Sequence, residues 1–183
     1  MSTLIELKKK LWSWDNKIVL EAVEELRVHG WLSDGSLHGI PLCDCHLAGA
    51  DLFKASLRKV DFHRANLQMA DLSMADLTGA KLSRTKLQGA DFSQAILKDA
   101  DLYKANLGGA RNLTTAQLSQ ASRLYGAIMP DGSLYDGRFN LPGDLEFARW
   151  GRVNVNDPEA MARFLGVPVE LYLMGQRMVA RVI

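Results

Sequence analysis

The sequence predicts a mainly β solenoid, because one short pattern recurs every five residues through its middle. A leucine or phenylalanine occupies every fifth position from Leu42 to Leu107. A small or apolar residue, most often alanine, precedes each of them by two positions. A five-residue period matches neither the 3.6-residue turn of an α-helix nor the two-residue alternation of a strand. A chain that buries the same two positions of every five must therefore bend once per repeat, and its successive turns must stack.

The two apolar positions of each repeat are predicted to point into the coil. Residues two apart lie on the same face of an extended segment, so one large and one small side chain turn inward together. The small position is not alanine at four sites, which are Ile40, Cys45, Val60 and Thr85. The remaining three residues of each repeat are predicted to face outward and to include the bend.

The stretch ADLSMADLTGAKL at residues 70–82, together with the similar repeats around it, resembles the pentapeptide repeat family, whose motif is written A(D/N)LXX. The resemblance covers about residues 35–113. It implies a right-handed quadrilateral β-helix with four repeats per coil, so that residues twenty apart lie in one column.

Helical patterns flank the repeats. Near the start, Thr3 and Asp15 are predicted N-caps of two helices, and Gly30 is the predicted stop. The tryptophans Trp12, Trp14 and Trp31 are expected to bring a large apolar area there. We therefore expect α-helical caps at both ends of the β-helix.

The register of the repeat breaks after Leu107. A capping-box pattern at Thr114 and Gln117 predicts an inserted helix. The five-residue spacing then returns with Met129, Leu134 and Phe139 as predicted centres. The predicted organisation is an N-terminal helical cap over 1–32, a β-helix over 33–113, an inserted helix over 114–125, a final partial coil over 126–140 and a C-terminal helical cap over 141–183.

The composition limits the classes of function. The 183 residues carry 22 basic and 21 acidic side chains, a net charge of +1, which does not favour a nucleic-acid partner. The sequence shows no signal-peptide pattern and no apolar run of membrane-spanning length, so we expect a cytoplasmic protein with no membrane partner. The two cysteines lie too close together in sequence to hold the fold by a disulfide.

No motif predicts catalysis, a cofactor or a metal. The CDCH stretch at residues 43–46 resembles half of a metal site, but Cys45 falls on an inward small position, where cysteine replaces alanine easily. The aspartates before the leucines belong to the repeat motif. We therefore predict no catalytic, cofactor-binding or metal-binding residue.

The surface columns are the predicted places for a partner. With four repeats per coil, Arg64, Arg84 and Lys104 form a basic column with Asp44 at its foot. The aspartates Asp51, Asp71 and Asp91 form an acidic column. Both columns are candidate partner-binding sites, although either one could simply be a solvated face.

Two functions remain open at this point. The first is an interaction or scaffold module that presents flat β-helix faces to a protein partner. The second follows from the resemblance, because some pentapeptide repeat proteins mimic DNA and bind topoisomerases such as gyrase. Residues 33–113 carry ten basic and nine acidic side chains, and this near-neutral rod disfavours mimicry of a polyanion.

The last predicted helix has apolar residues all around its axis. A helix that only covers the end of a coil needs one apolar face. The second face is predicted either to pack against Phe147, Trp150 and Phe164 or to meet another molecule. The candidate interface residues are Leu171, Met174, Met178 and Val182. The protein is accordingly expected to be a monomer or a dimer through this helix.

Overall fold

The computed structural model of the protein describes residues 2–179. Between two groups of helices runs a coil of short extended segments and turns. In chain order, the helices of the described residues are α1 (Leu4–Lys10), α2 (Asn16–Val28), α3 (Thr115–Leu118), α4 (Pro142–Trp150), α5 (Pro158–Leu165) and α6 (Val169–Val179).

The coil completes one circuit every twenty residues. Parallel β-bridges join residues twenty apart from Pro41↔Asp61 to Asp91↔Arg111. One bridging residue falls in each pentapeptide, so four pentapeptides form one coil with four sides. The bridges confirm the predicted register, including the column of Asp51, Asp71 and Asp91.

The backbone of one repeat, Asp71–Ala75, shows how the coil is held. Asp71 donates its N–H to the preceding coil, and Leu72 and Met74 donate theirs to the following coil, at 2.7–2.9 Å. The N–H of Ala75 closes the turn onto the Leu72 carbonyl at 3.0 Å. The fifth N–H, from Ser73, is accepted by the Asp71 side chain at 2.8 Å.

This last contact explains why the motif prefers aspartate or asparagine before the central residue. An Asx side chain satisfies a turn N–H that faces no neighbouring coil. The same bond, at 2.8–3.1 Å, occurs in eight repeats of the coil, at Asp51, Asp61, Asn66, Asp71, Asp76, Asp91, Asp101 and Asn106.

The bend of each repeat lies at the second residue after the central one. This residue has a positive φ throughout the coil, for example 55° at Lys54 and 71° at Gly49. A left-handed residue is what the third position of a type II turn requires. Long side chains are accepted there because they extend into solvent.

The interior follows the predicted pattern closely. Every central residue from Leu42 to Leu107 is at most 2% exposed. Thr85 is buried at a small position, and its hydroxyl donates to the Phe62 carbonyl at 2.8 Å, which satisfies the buried polar group.

The predicted inserted helix is wrong in its length. Only Thr115–Leu118 is helical, although the capping box of Thr114 and Gln117 is present. The ladder already resumes at Arg123, which bridges Asp101, so the insertion lengthens this coil by two residues. Gln117 explains the early return, because its side-chain amide donates to the carbonyls of Phe92 and Ala95 and fixes α3 on the coil.

The predicted last partial coil holds for its first repeat only, where Ile128 bridges Asn106 and the predicted centre Met129 is buried. Leu134 is 39% exposed, and the residue buried in its place is Tyr135. An antiparallel bridge joins Ile128 to Leu134, and Met129 donates its N–H to the Ser133 carbonyl at 2.7 Å. The chain therefore reverses in a tight hairpin, and a five-residue spacing across a hairpin cannot keep successive centres inside.

The N-terminal helices begin at the predicted caps, Thr3 and Asp15. The Asn16 side chain donates to the Ala48 carbonyl at 3.1 Å, and Arg27 pairs with Asp51 at 2.6 Å, so both residues join α2 to the first coils. Trp31 packs partly buried against the core. Trp12 and Trp14 are 44% and 79% exposed, so most of their apolar area stays in solvent.

At the other end, α4 takes the place of a further coil. Gly143 donates its N–H to the Ser122 carbonyl at 2.9 Å. The buried carboxylate of Asp144 accepts the N–H groups of Leu124 and Tyr125 at 2.8–3.1 Å. These donors lie on the last coil edge, where an unpaired N–H would be costly if buried.

Helix α6 is anchored through a polar side chain. Gln176 donates to the Gly137 carbonyl at 2.8 Å and exchanges hydrogen bonds with the Asn140 side chain. Gly175 permits the close approach, since a Cβ there would lie 2.7 Å from the Asp136 carboxylate. Among residues 2–179, no helix is long and apolar enough to cross a membrane.

Candidate protein-interaction surface

One side of the coil carries most of the features that a partner could recognise. We call it the front face; it consists of residues 41–45, 61–65, 81–85, 101–105 and 123–127, which the bridges at 41, 61, 81, 101 and 123 place one above another. Its large apolar positions point inward, so its outer chemistry comes from the bridging residues and the two turn residues of each repeat.

The basic column lies on the front face, and its side chains are exposed. At its foot, Arg64 forms a bidentate pair with Asp44, with nitrogen–oxygen distances of 2.9 and 2.8 Å. The hydrogen bond from Arg64 lowers the pKa of Asp44. Within the described part of the chain, Arg84 and Lys104 form no ion pair. The column therefore offers two adjacent cations to a partner.

The bridging column beside it is neutralised internally. Asp61 pairs with Lys81 at 3.2 Å, and Asp101 pairs with Arg123 through two hydrogen bonds of 3.0 and 2.5 Å. Each pair joins two successive coils. These ion pairs stabilise the stack. Because the paired charges cancel each other, the net positive charge of the front face comes from the basic column.

Aromatic rings connect the basic column to α4. The Lys104 ammonium lies 5.3 Å from the Tyr103 ring centroid. Tyr103 meets Phe147 edge-on at a centroid distance of 6.0 Å, and Phe147 stacks on Trp150 at 6.2 Å. Because each step is a ring contact, the path from Lys104 to Trp150 is a continuous surface of partly apolar character.

The path ends at a cleft between α4 and the front face. The cleft has a volume of about 430 Å³ and is lined by Asp101, Ser122, Arg123, Gly143, Glu146, Phe147 and Trp150. Trp150 is 82% exposed, which contradicts the alternative that it covers α6 internally. The volume lies in the range of sites that hold a small molecule or a large side chain.

Two of the three aspartates in the acidic column already contact other side chains of the protein. Asp51 pairs with Arg27, and Asp91 accepts hydrogen bonds from Asn112 and lies 3.8 Å from Arg111. The bonds from Asn112 and then Ser93 lower the pKa of Asp91 to about 2. Of the three aspartates, Asp71 alone has no ion pair within residues 2–179.

Three of the four candidate residues of the C-terminal interface lie within the described residues. Met174 and Met178 are each 53% exposed, and Leu171 is half-buried. Val182 lies outside the described residues. The buried side of α6 instead carries Tyr172 and the polar Gln176, which the helical pattern did not predict.

The cysteines are in unreactive surroundings. Cys45 is buried, and its burial raises the pKa of the thiol to about 12. Burial also raises the pKa of the Cys43 thiol, ahead of the hydrogen bond with Asp61. The part of the chain that the structure describes contains no group of three or more His, Cys, Asp or Glu side chains placed to hold a metal ion.

The cleft was missed from the sequence. Its residues come from the coil at 101, from the segment after α3 and from α4, and they meet only because the ladder resumes at Arg123. A usable signal was present, since Phe147 and Trp150 lie three residues apart and share one side of a helix.

The fold is a repeat solenoid, and the front face is its candidate interaction surface. The sequence profile described as Pentapeptide repeats matches residues 45–84 and 75–111, with eight copies of the repeat. Together with the twenty-residue ladder, this match shows that residues 45–111 consist of pentapeptide repeats.

Two solved structures are similar to the chain. One is HetL from the cyanobacterium Nostoc, described as involved in heterocyst differentiation regulation. Its sequence is 48% identical, the TM-score is 0.49, and the alignment covers 52% of this chain and 43% of HetL. The other is a pentapeptide repeat protein of the Arabidopsis thaliana thylakoid lumen. Its sequence is 35% identical, the TM-score is 0.42, and the alignment covers 51% of this chain and 60% of that protein. The chain thus spans less than two thirds of either relative. None of the curated proteins matches significantly.

Proposed function

We propose that the protein is a non-enzymatic interaction module that binds an acidic surface of a protein partner through its front face. The observation that carries this proposal is the pair of exposed cations, Arg84 and Lys104, which have no acidic partner within residues 2–179. Their neighbours Asp61, Lys81, Asp101 and Arg123 neutralise one another, so the charge of the two cations is available for binding.

The construction of the coil supports a binding role. Each repeat fixes its outward side chains on a backbone whose hydrogen bonds are satisfied within the stack. A preorganised surface loses little conformational entropy when a partner binds. The helices at the two ends contribute indirectly: we assign α1 and α2 to one coil end and α4 to α6 to the other, where they cover edges that would otherwise pair with other chains.

Mimicry of DNA is the weaker alternative. A DNA mimic needs uninterrupted acidic columns that imitate two phosphate strands. Here Arg27 and Arg111 pair with the two ends of the acidic column. We therefore place the partner surface on the basic side. A cytoplasmic location remains a prediction from the sequence.

The test is partner capture with charge-reversed proteins. The full chain, carrying an affinity tag, is compared with the Arg84→Glu/Lys104→Glu variant in native extract. The matched control is Lys54→Glu/Lys59→Glu, because these lysines are exposed, occupy the same positive-φ turn position and give the same change in net charge. Arg64 stays unchanged, since its loss would expose Asp44.

We expect at least one protein to be recovered with the wild type and the control but not with the front-face variant, and to bind the purified chain directly. If the wild type, the front-face variant and the control variant all retain every captured protein equally, the basic column has no binding role. A gyrase supercoiling assay is run in parallel, and inhibition that survives reversal of the basic column but is lost in Asp71→Lys would favour the DNA-mimic alternative.

A further inference from the structure

We propose that the front face recognises a short linear segment whose acidic side chains bind Arg84 and Lys104 and whose aromatic side chain enters the cleft at Trp150. This inference rests on the proposed function and specifies its ligand. It combines three observations, which are the two unpaired cations, the chain of ring contacts and the cleft of about 430 Å³.

The distance between the two ends sets the length of the segment. The contacts from the Lys104 ammonium to Tyr103, from Tyr103 to Phe147 and from Phe147 to Trp150 are 5.3, 6.0 and 6.2 Å long. The path is thus at most about 17.5 Å long, which five extended residues span. An acidic residue and an aromatic residue about four or five positions apart would reach both ends at once.

The charges of the cleft decide which end receives which side chain. Arg123 is engaged by Asp101, and the exposed carboxylate of Glu146 also lines the cleft. A ligand carboxylate is therefore repelled from the cleft and attracted to the basic column. An aromatic side chain with an O–H or N–H group fits better, because it can stack on Trp150 and donate to Glu146.

The stacked pair Phe147 and Trp150 provides the anchor. Aromatic side chains at the centre of an interface contribute a large share of binding energy when they become desolvated. Trp150 is 82% exposed in the free protein, so a ligand ring can cover it without displacing the core. The middle of the path is the Tyr103 ring, which the Lys104 ammonium and the Arg123 guanidinium approach to 5.3 and 4.7 Å, so the intervening backbone carbonyls meet cations there.

The experiment is a calorimetric titration of the full chain with capped synthetic peptides. The probes are acetyl-Asp-Asp-Asp-Gly-Gly-Tyr-amide and the same sequence in reverse order. Three control peptides replace the aspartates by lysine, the tyrosine by alanine, or the tyrosine by glutamate. The protein variants are Trp150→Ala and Arg84→Glu/Lys104→Glu, with Lys54→Glu/Lys59→Glu as control.

We expect saturable binding of one of the two probes, and weakening by about tenfold in Trp150→Ala and in Arg84→Glu/Lys104→Glu. The control variant should stay within about twofold, and added salt should weaken binding. The peptide ending in glutamate should fail with the wild type and gain binding in Glu146→Gln.

Absence of saturable binding for both probes overturns the inference, and so does binding that Trp150→Ala leaves unchanged. Circular dichroism tests whether each variant is folded. We expect all of them to fold, because every substituted side chain is exposed. If the peptides fail while a captured partner remains sensitive to Arg84→Glu/Lys104→Glu, the linear segment is wrong and the proposed function stands.

Discussion

The carboxylate of Asp144 accepts the backbone N–H of Tyr125 at 2.8 Å. This contact closes the last coil edge with a side chain in place of another strand. Burial raises the pKa of Asp144 to about 6, and the N–H groups of Tyr125 and Leu124 only partly oppose it. We therefore expect the contact between α4 and the last coil to depend on pH.

The first prediction is a loss of stability with rising pH. Between about pH 4 and pH 6, the folded protein holds a proton on Asp144 that the unfolded chain has released, so the free energy of unfolding falls as pH rises through this window. The shift corresponds to roughly 3 kcal/mol as an upper value. Urea unfolding of the wild type and Asp144→Asn at pH 4, 5, 6 and 7 measures the effect.

The difference between wild type and Asp144→Asn isolates this group from the other carboxylates, such as Asp91, whose lowered pKa acts in the opposite direction. Asparagine keeps one oxygen for the donors and cannot ionise. Parallel pH profiles for the two proteins would refute the role of Asp144. Asp144→Ala removes the acceptor and should cost about 1–3 kcal/mol at pH 4. This cost should shrink as pH rises to 6, because the variant lacks the ionisable group.

The second prediction concerns the interior. Leu72→Asp places an unpaired carboxylate in the middle of the stack and should cost several kcal/mol or prevent folding. Ala70→Leu should overpack the small position and cost ~1–3 kcal/mol. Thermal melts measure both, with Leu72→Met as the conservative control. An unchanged melting temperature for Ala70→Leu would contradict the tight packing of the small positions.

The third prediction tests the side-chain bond within the repeat. Asp71→Ala removes the acceptor of the Ser73 N–H and should cost about 1 kcal/mol, whereas Asp71→Asn should be neutral or stabilising, because it keeps the oxygen and relieves the column of like charges. Lys86→Ala, at the same position of another repeat, should be near neutral. Chemical unfolding that ranks Asp71→Asn with Asp71→Ala would show that charge matters more than the turn.

The fourth prediction concerns the anchoring of α6. Ending the chain at Gly166 removes Tyr172 and the Gln176 contacts with Gly137 and Asn140, so the melting temperature should fall. Gly175→Val should have a similar but smaller effect through its clash with Asp136. Gly49→Val measures backbone strain alone, because Gly49 has a φ of 71° and open space around it, whereas Gly175 lies in α6 without a positive φ and tests crowding alone.

The fifth prediction is the oligomeric state. Stable interfaces bury about 800 Å² on each partner. The exposed parts of Met174 and Met178 are too small a patch for that, so we expect a monomer in light scattering at micromolar concentration. A dimer that dissociates in Met174→Glu/Met178→Glu would instead make α6 the interface, and Ile5→Glu, an exposed apolar residue at the other end, is the control.

The local sequence pattern was sufficient to predict the coil but not the structure at its two ends. The spacing from Leu42 to Leu107 predicts which side chains are buried, because every repeat meets the same environment above and below. Thr3, Asp15 and Thr114 predict helix starts for a similar reason, since a cap bonds within its own turn. The hairpin at Ile128 and Leu134 escaped prediction because a reversal leaves the five-residue spacing intact.

The sequence by itself determined the solenoid, its inward residues and the columns that bring Arg64, Arg84 and Lys104 together, because a strict repeat converts sequence separation into position. Tertiary structure decided which charges are free and which are paired. It also decided that Asp144 is buried and Trp150 exposed, and that α4 forms a cleft with Asp101 and Arg123. These properties depend on contacts between segments about twenty or more residues apart, and the five-residue period does not encode the geometry of those contacts.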